Sequence, residues 1–175
     1  MKSREFEVEI DKLYELAHKH DEVLPLEEEL FQLKRLLERD FDARLFFESL
    51  EIGKKQKKNA LKQIFTPCSP VFKALVGFLI DEDKVSRVTE ISERYSRMVA
   101  KNKNMIFGEV LSYEPLSKES LASLGKRFGK NIVLKNIPDP SLMGGMLIRL
   151  MGGTVIDASL KGRLNQLREK IANAS

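Results

Sequence analysis

Few residues in this chain are of the types that do chemistry, and their spacing keeps them apart. The two histidines, His18 and His20, stand two positions apart. On a helix that turns the side chains about 200° from each other, so one face cannot offer both to a metal ion. The single cysteine, Cys68, has no base or orienting group near it in sequence to make it a nucleophile. Alone, it also forms no internal disulfide. Asp139 and Asp157 make a weak carboxylate pair. Asp139 sits in a turn between Pro138 and Pro140, and Asp157 is placed to cap a helix. Gly144-Gly145 and Gly152-Gly153 are not followed by Gly-Lys-Ser/Thr and do not fit the dinucleotide fingerprint. Strand entry and a two-residue hairpin account for them better. The run Lys54-Lys55-Gln56-Lys57-Lys58 lacks the interleaved aromatics that stack on bases. It reads as a solvated helix start facing the acidic first half of its own domain. No catalytic residue, cofactor site or metal ligand is expected, which favours an adaptor over an enzyme.

The elements that carry these residues fit that reading. The chain has 175 residues, 42% hydrophobic and 32% charged, without Trp. That is a soluble globular composition with room for one domain or two small ones. Its longest apolar run, Ala74 to Ile80, falls well short of the roughly 20 residues a membrane span needs. No apolar signal core follows Met1-Lys2-Ser3-Arg4-Glu5. An intracellular protein is expected, meeting a membrane only through partners. The net charge of +4 and a pI near 9.1 invite a nucleic-acid reading, with a small RNA- or ribosome-associated protein as the alternative function. The distribution argues otherwise. Residues 1–53 carry 8 basic and 15 acidic side chains, residues 54–104 carry 12 and 5, and residues 105–175 carry 10 and 6. The first 104 residues are neutral but polarised, and the whole excess lies in the rest.

Periodicity predicts helices through the first hundred residues. Phe6, Ile10, Leu13 and Ala17 form one stripe, and Leu26, Leu30, Leu33 and Leu37 form the next, with Pro25 in its first turn. Leu45-Phe46-Phe47 follows Asp42, and the lysine run leads into Leu61, Ile64 and Phe65. Ser69 caps a helix from Val71 to Ile80 that is apolar on nearly every side and is expected to be central. Asp81-Glu82-Asp83 ends it and is placed to cap the next, whose stripe is Val85, Val88, Ile91, Tyr95 and Met98. The fold class is an N-terminal all-α six-helix bundle over 1–104 and a small C-terminal α+β domain over 105–175. In the second domain a strand over 105–113 precedes a helix from Ser117 to Phe128. Strands follow at 132–137, 145–151 and 154–156, and a last helix runs through Leu160, Leu164, Leu167 and Ile171.

One stretch is specific enough to compare with known proteins. Asp139-Pro140-Ser141-Leu142-Met143-Gly144-Gly145-Met146-Leu147-Ile148-Arg149 is followed by Gly153-Thr154-Val155-Ile156-Asp157-Ala158-Ser159-Leu160-Lys161-Gly162-Arg163-Leu164. This resembles the signature of the delta subunit of F-type ATP synthases, the oligomycin-sensitivity-conferring protein family. Leu13-Tyr14-Glu15-Leu16-Ala17, Phe46-Phe47-Glu48-Ser49-Leu50, Ser69-Pro70 with the helix after it, and Leu116-Ser117-Lys118-Glu119 resemble other family passages. The opening Phe6-Glu7-Val8-Glu9-Ile10 departs from the family's Arg-Tyr-Ala-rich start. Gly152-Gly153-Thr154 varies a common Gly-Asp.

The resemblance implies a non-catalytic stator. The N-terminal bundle would bind the N-terminal segments of the alpha subunits. The C-terminal domain would bind the peripheral-stalk b subunits, and the chain would keep the catalytic head from turning with the rotor. It implies no cofactor, no nucleic acid, and a place on the cytoplasmic face of a bacterial inner membrane through the complex alone. The family's docking groove lies between the first and fifth helices. Here that points to Phe6, Ile10, Leu13, Tyr14 and Ala17, and to Val71, Phe72, Leu75, Val76 and Leu79. Leu160, Leu164, Leu167 and Ile171 are the stalk-binding candidates.

Overall fold

In a computed structural model, the backbone is described for residues 2–129 and 131–165, and side chains from residue 9 onward. The chain divides into two compact units, Met1–Lys101 and Asn102–Ser175. It is mostly helical, with a small four-stranded sheet in the second unit. No described helix is long and apolar enough to cross a membrane.

The first unit contains α1 (Lys2–Lys19), α2 (Val23–Arg39), α3 (Phe41–Glu48), α4 (Lys54–Ile64), α5 (Pro70–Asp81) and all but the last two residues of α6 (Val88–Lys103). A 3-10 turn, Val85–Arg87, precedes α6. Apolar residues three and four apart bury one face of each main helix. Leu26, Leu30, Leu33 and Leu37 of α2 are buried, as are Val88, Ile91, Tyr95 and, in place of the half-buried Met98, Val99 of α6; Tyr95 and Ser96 hydrogen-bond to Val23 and Glu27 of α2. Asp40 caps α3 by accepting from the Ala43 amide at 2.9 Å, and Asp42 lies in the first turn. The acidic run ends α5, with Glu82 as its C-cap donating to the Phe78 carbonyl at 3.0 Å, but it supplies no side-chain cap to the 3-10 turn that follows. Asp83 turns into the left-handed region at φ 52°, and Lys84 precedes the 3-10 turn without a side-chain cap. The lysine run also finds other partners than expected. Lys54 pairs with Asp83 at 3.0 Å and Lys58 with Asp81 at 2.6 Å, both at the end of α5 and not in the acidic first half. The reason is geometric: the α4–α5 connection brings the start of α4 beside the end of α5.

The second unit runs β1 (Ile106–Ser112), α7 (Lys118–Phe128), β2 (Ile132–Pro138), β3 (Met146–Leu150) and β4 (Val155–Asp157). Sheet order is β2-β1-β3-β4, with β1 parallel to β2 and antiparallel to β3, and β3 antiparallel to β4. Strand alternation sends Val110, Leu134 and Ile148 to one face, where Leu121 and Leu124 of α7 cover them. The hairpin differs from the expected two-residue loop. The Leu150 amide donates to the Thr154 carbonyl at 2.8 Å, which leaves Met151-Gly152-Gly153 as a three-residue loop with both glycines at positive φ.

Candidate docking surfaces

In the first unit the N-terminus of α5 is tied down by carboxylates from the region of α2. Glu29 accepts from the Ser69 amide at 2.6 Å and from its hydroxyl at 2.5 Å. Glu22 accepts from the Val71 amide at 3.0 Å, and the Ser69 hydroxyl accepts from the Phe72 amide at 3.2 Å. Orphan amides at a helix start bind negative charge, so part of the acidic excess of residues 1–53 is spent here. Deeper, Ser96 donates to Glu27 at 2.7 Å, and Tyr95 donates to the Val23 carbonyl at 3.3 Å. Burial pushes the Tyr95 phenol up, helped by Tyr14 and by the Glu27 carboxylate, so it stays a neutral donor.

These ties set which face of α5 is free. Val71, Phe72, Val76, Leu79 and Ile80 are buried, while Lys73, Ala74 and Phe78 are exposed. The helix is therefore not enclosed on every side, as its composition suggested. Of the groove residues, Ile10, Ala17, Val71, Phe72, Val76 and Leu79 lie inside the unit. A stripe at helical spacing covers its own core first, and these six do so. Leu13, Tyr14 and Leu75 are half-buried at the surface. The Phe6 side chain lies outside the described residues. Sequence periodicity passed over Ala74, Gly77 and Phe78, which line an open groove of about 400 Å³ between α4 and α5. The single usable signal was Phe78, one residue off the buried stripe.

In the second unit the signature residues come together in space. Asp139 accepts from the Ser141 amide at 3.0 Å, starting a 3-10 turn over Pro140–Leu142. Met143 then takes the left-handed conformation at φ 59°, followed by Gly144 and by Gly145 at φ 74°. The bare backbone of Gly145 lies directly on Ala158 and Ser159; a Cβ there would run into the Ala158 carbonyl oxygen. The Ala158 amide donates to the Met146 carbonyl at 2.9 Å, and the Leu160 amide to the Gly144 carbonyl at 3.0 Å. Asp157 accepts from the Ser159 amide at 2.9 Å and its hydroxyl at 2.7 Å, while that hydroxyl accepts from the Gly162 amide at 3.0 Å. Those two hydrogen bonds hold the Asp157 carboxyl below its ordinary value. Gly162 makes room for that carboxylate, since a Cβ would stand 2.5 Å from its Oδ2. Asp139 and Asp157 are thus caps, each engaged by nearby backbone amides.

This latch launches the helical segment 160–165. Leu160 and Leu164 on it are 46% and 49% exposed, an apolar pair one turn apart. Leu167 and Ile171 lie outside the described residues. Among the described residues, no group of three or more His, Cys, Asp or Glu is placed to hold a metal ion. His18 and His20 are both exposed near the end of α1, and Cys68 is a half-buried free thiol.

The combination defines a class: a two-unit helical and α+β protein that leaves large apolar side chains exposed on each unit. The comparisons with known proteins agree. The family model ATP synthase delta (OSCP) subunit matches residues 12–171, and the chain belongs to that family. It is 31% identical over 169 residues to the ATP synthase subunit delta of Alkaliphilus oremlandii, covering 91% of each chain. It is 32% identical over 126 residues to that of Clostridioides difficile, covering 69% of each. A chain in the cryo-EM structure of the Toxoplasma gondii mitochondrial ATP synthase hexamer shares the fold. It matches at a TM-score of 0.50 and 19% identity, over 93% of this chain and 94% of that one. The chain is a non-catalytic subunit of an F-type ATP synthase.

Proposed function

We propose that the chain is the stator link of its ATP synthase. Its first 104 residues, a six-helix bundle, grip the N-terminal segments of the alpha subunits. Residues 105–175 hold the ends of the peripheral-stalk b subunits. The chain sits peripherally on the cytoplasmic face of the membrane through that complex, and resists rotor torque during proton-driven synthesis. The observation that carries this reading is the family match over residues 12–171, which runs through both compact units. A link needs two independent grips, and each unit has its own core and its own uncovered apolar residues.

On the helical unit, Leu13, Tyr14 and Leu75 form the contact rim. Ile10, Ala17, Val71, Phe72, Val76 and Leu79 form the rigid support beneath it, and Phe6 extends the stripe. An amphipathic alpha segment would bury its apolar face on that rim. On the other unit, Leu160 and Leu164 begin the stalk contact, and Leu167 and Ile171 continue their spacing.

Titration calorimetry of the full chain tests the two grips separately. Leu75→Glu is expected to weaken binding of an alpha N-terminal peptide by about tenfold or more, with b-segment binding unchanged. Leu164→Glu is expected to do the reverse. Loss of both activities in either variant, or of neither in both, would overturn the reading.

A further inference from the structure

The groove between α4 and α5 is a second surface, distinct from the Leu13–Tyr14–Leu75 rim. Its lining includes Leu61, Ala74, Gly77 and Phe78 as an apolar floor. Phe78 is 58% exposed, beside a buried stripe on the same helix.

Gly77 is the odd residue. A glycine inside a helix costs about 1 kcal/mol relative to alanine. The chain's other interior glycines have a reason: a Cβ at Gly108 or Gly125 would stand 2.7 Å from Leu150 or from the Ile132 carbonyl. At Gly77 a Cβ would meet nothing within 4 Å. Nothing within the chain requires its absence. What the absence provides is a flat floor beside Phe78, where another backbone can come close.

Around that floor stand three lysines, Lys58, Lys62 and Lys73, and one carboxylate, Asp81. Lys58 is engaged by Asp81, and Lys54 by Asp83, at one end of the groove. Lys62, near the end of α4, and Lys73, near the start of α5, line the groove with no ion pair among the described residues. The open end therefore presents two uncompensated ammonium groups next to an apolar floor. We propose that this groove docks an amphipathic helix of a partner protein whose apolar stripe is flanked by acidic residues. The stripe lies over Ala74, Gly77 and Phe78, and the carboxylates meet Lys62 and Lys73. Charge of this kind governs partner choice and encounter rate more than raw affinity.

The test uses the full chain, labelled with ¹⁵N, and two synthetic helical peptides of about 14 residues, roughly the length of α5 plus a half turn. Both carry the same leucine stripe; one is flanked by glutamates, the other by lysines. The glutamate peptide should shift the amide signals of Leu61, Ala74, Gly77 and Phe78, and bind at least about tenfold more tightly than the lysine peptide. Gly77→Leu should abolish that binding. Gly77→Ala should melt no lower than the parent chain, which shows that the space is open and that lost binding is not unfolding. Lys62→Glu with Lys73→Glu should reverse the peptide preference. Equal binding of both peptides, shifts confined to other surfaces, or a dimer of the chain alone that Gly77→Leu dissolves would each overturn the proposal.

Discussion

The two units are held together by different means. In the helical unit the decisive polar contacts join residues far apart in sequence: Glu29 to Ser69, Glu22 to Val71, Glu27 to Ser96. In the α+β unit they join close neighbours or follow the strand ladder: Asp157 to Ser159, Ser159 to Gly162, Asp139 to Ser141. Asn136 is the main long-range exception. It accepts from the Leu116 amide at 2.7 Å and donates to the Val110 carbonyl and the Ser112 hydroxyl. A local polar device leaves a compact sequence signature, and a long-range one does not. The recognisable motif is therefore a record of how the second unit folds. It is silent about what that unit binds.

The largest expected effect separates core from surface in the helical unit. Val76 is fully buried, and Val76→Glu should cost about 4 kcal/mol or more, because an unpaired carboxylate enters the interior. Thermal melting followed by circular dichroism should show loss of the cooperative helical transition. Leu164→Glu, on the exposed segment of the other unit, should change stability by less than about 0.5 kcal/mol. If Val76→Glu melts like the parent chain, α5 faces outward where it is described as facing in.

Much of the helical unit was legible because burial repeats every three or four residues. The stripes of α2 and α6 and the Ser69 cap need no knowledge of the partner helices. The docking surface was less legible for the same reason. A stripe such as Val71, Phe72, Val76 and Leu79 reads alike whether it meets its own bundle or another chain. Only packing shows that it is inside and that Ala74 and Phe78 are outside. The lysine run was misread for a related cause. Composition placed its partners in the acidic first half, whereas the chain's turn after α4 placed them at Asp81 and Asp83. In the second unit, strand alternation and the glycine pairs located the sheet. The three-residue hairpin escaped because Leu150 and Thr154 pair beyond the residues that the Gly-Gly pattern marks.

Next in size is a test of the latch. Gly145→Ala places a Cβ against the Ala158 carbonyl and forces a side-chain-bearing residue to φ 74°. It should destabilise the second unit by about 2–3 kcal/mol. Hydrogen exchange at the Ala158 and Leu160 amides should quicken, with the α2 and α6 amides unchanged. Uniform quickening in both units would mean that the latch is not local. A smaller effect tests the long-range tie in the helical unit. Glu29→Ala leaves the Ser69 amide and hydroxyl without their acceptor and should cost about 1–2 kcal/mol. Urea melts of the two variants compare a local device with a distant one.

The smallest effect is a titration, and its sign follows from the hydrogen bonds. The Ser159 hydroxyl and amide hold the Asp157 carboxyl below its ordinary value, and the same kind of contact from the Glu119 amide and the Ser117 hydroxyl lowers Glu119. A carboxyl whose folded value is depressed adds stability above its unfolded value. That contribution fades as the pH falls through the folded value, here in the acid range below about pH 4. The two carboxyls sit at helix starts in the same unit, so both caps should loosen together in acid. Carbon-detected NMR titration should place Asp157 below an unstructured aspartate, and Ser159→Ala should move it back up. Because the Gly162 amide also loses its acceptor in that variant, its exchange should quicken in step with the shift. An Asp157 value unchanged by Ser159→Ala would mean that the motif's Asp-x-Ser pair is held by something other than its own two hydrogen bonds.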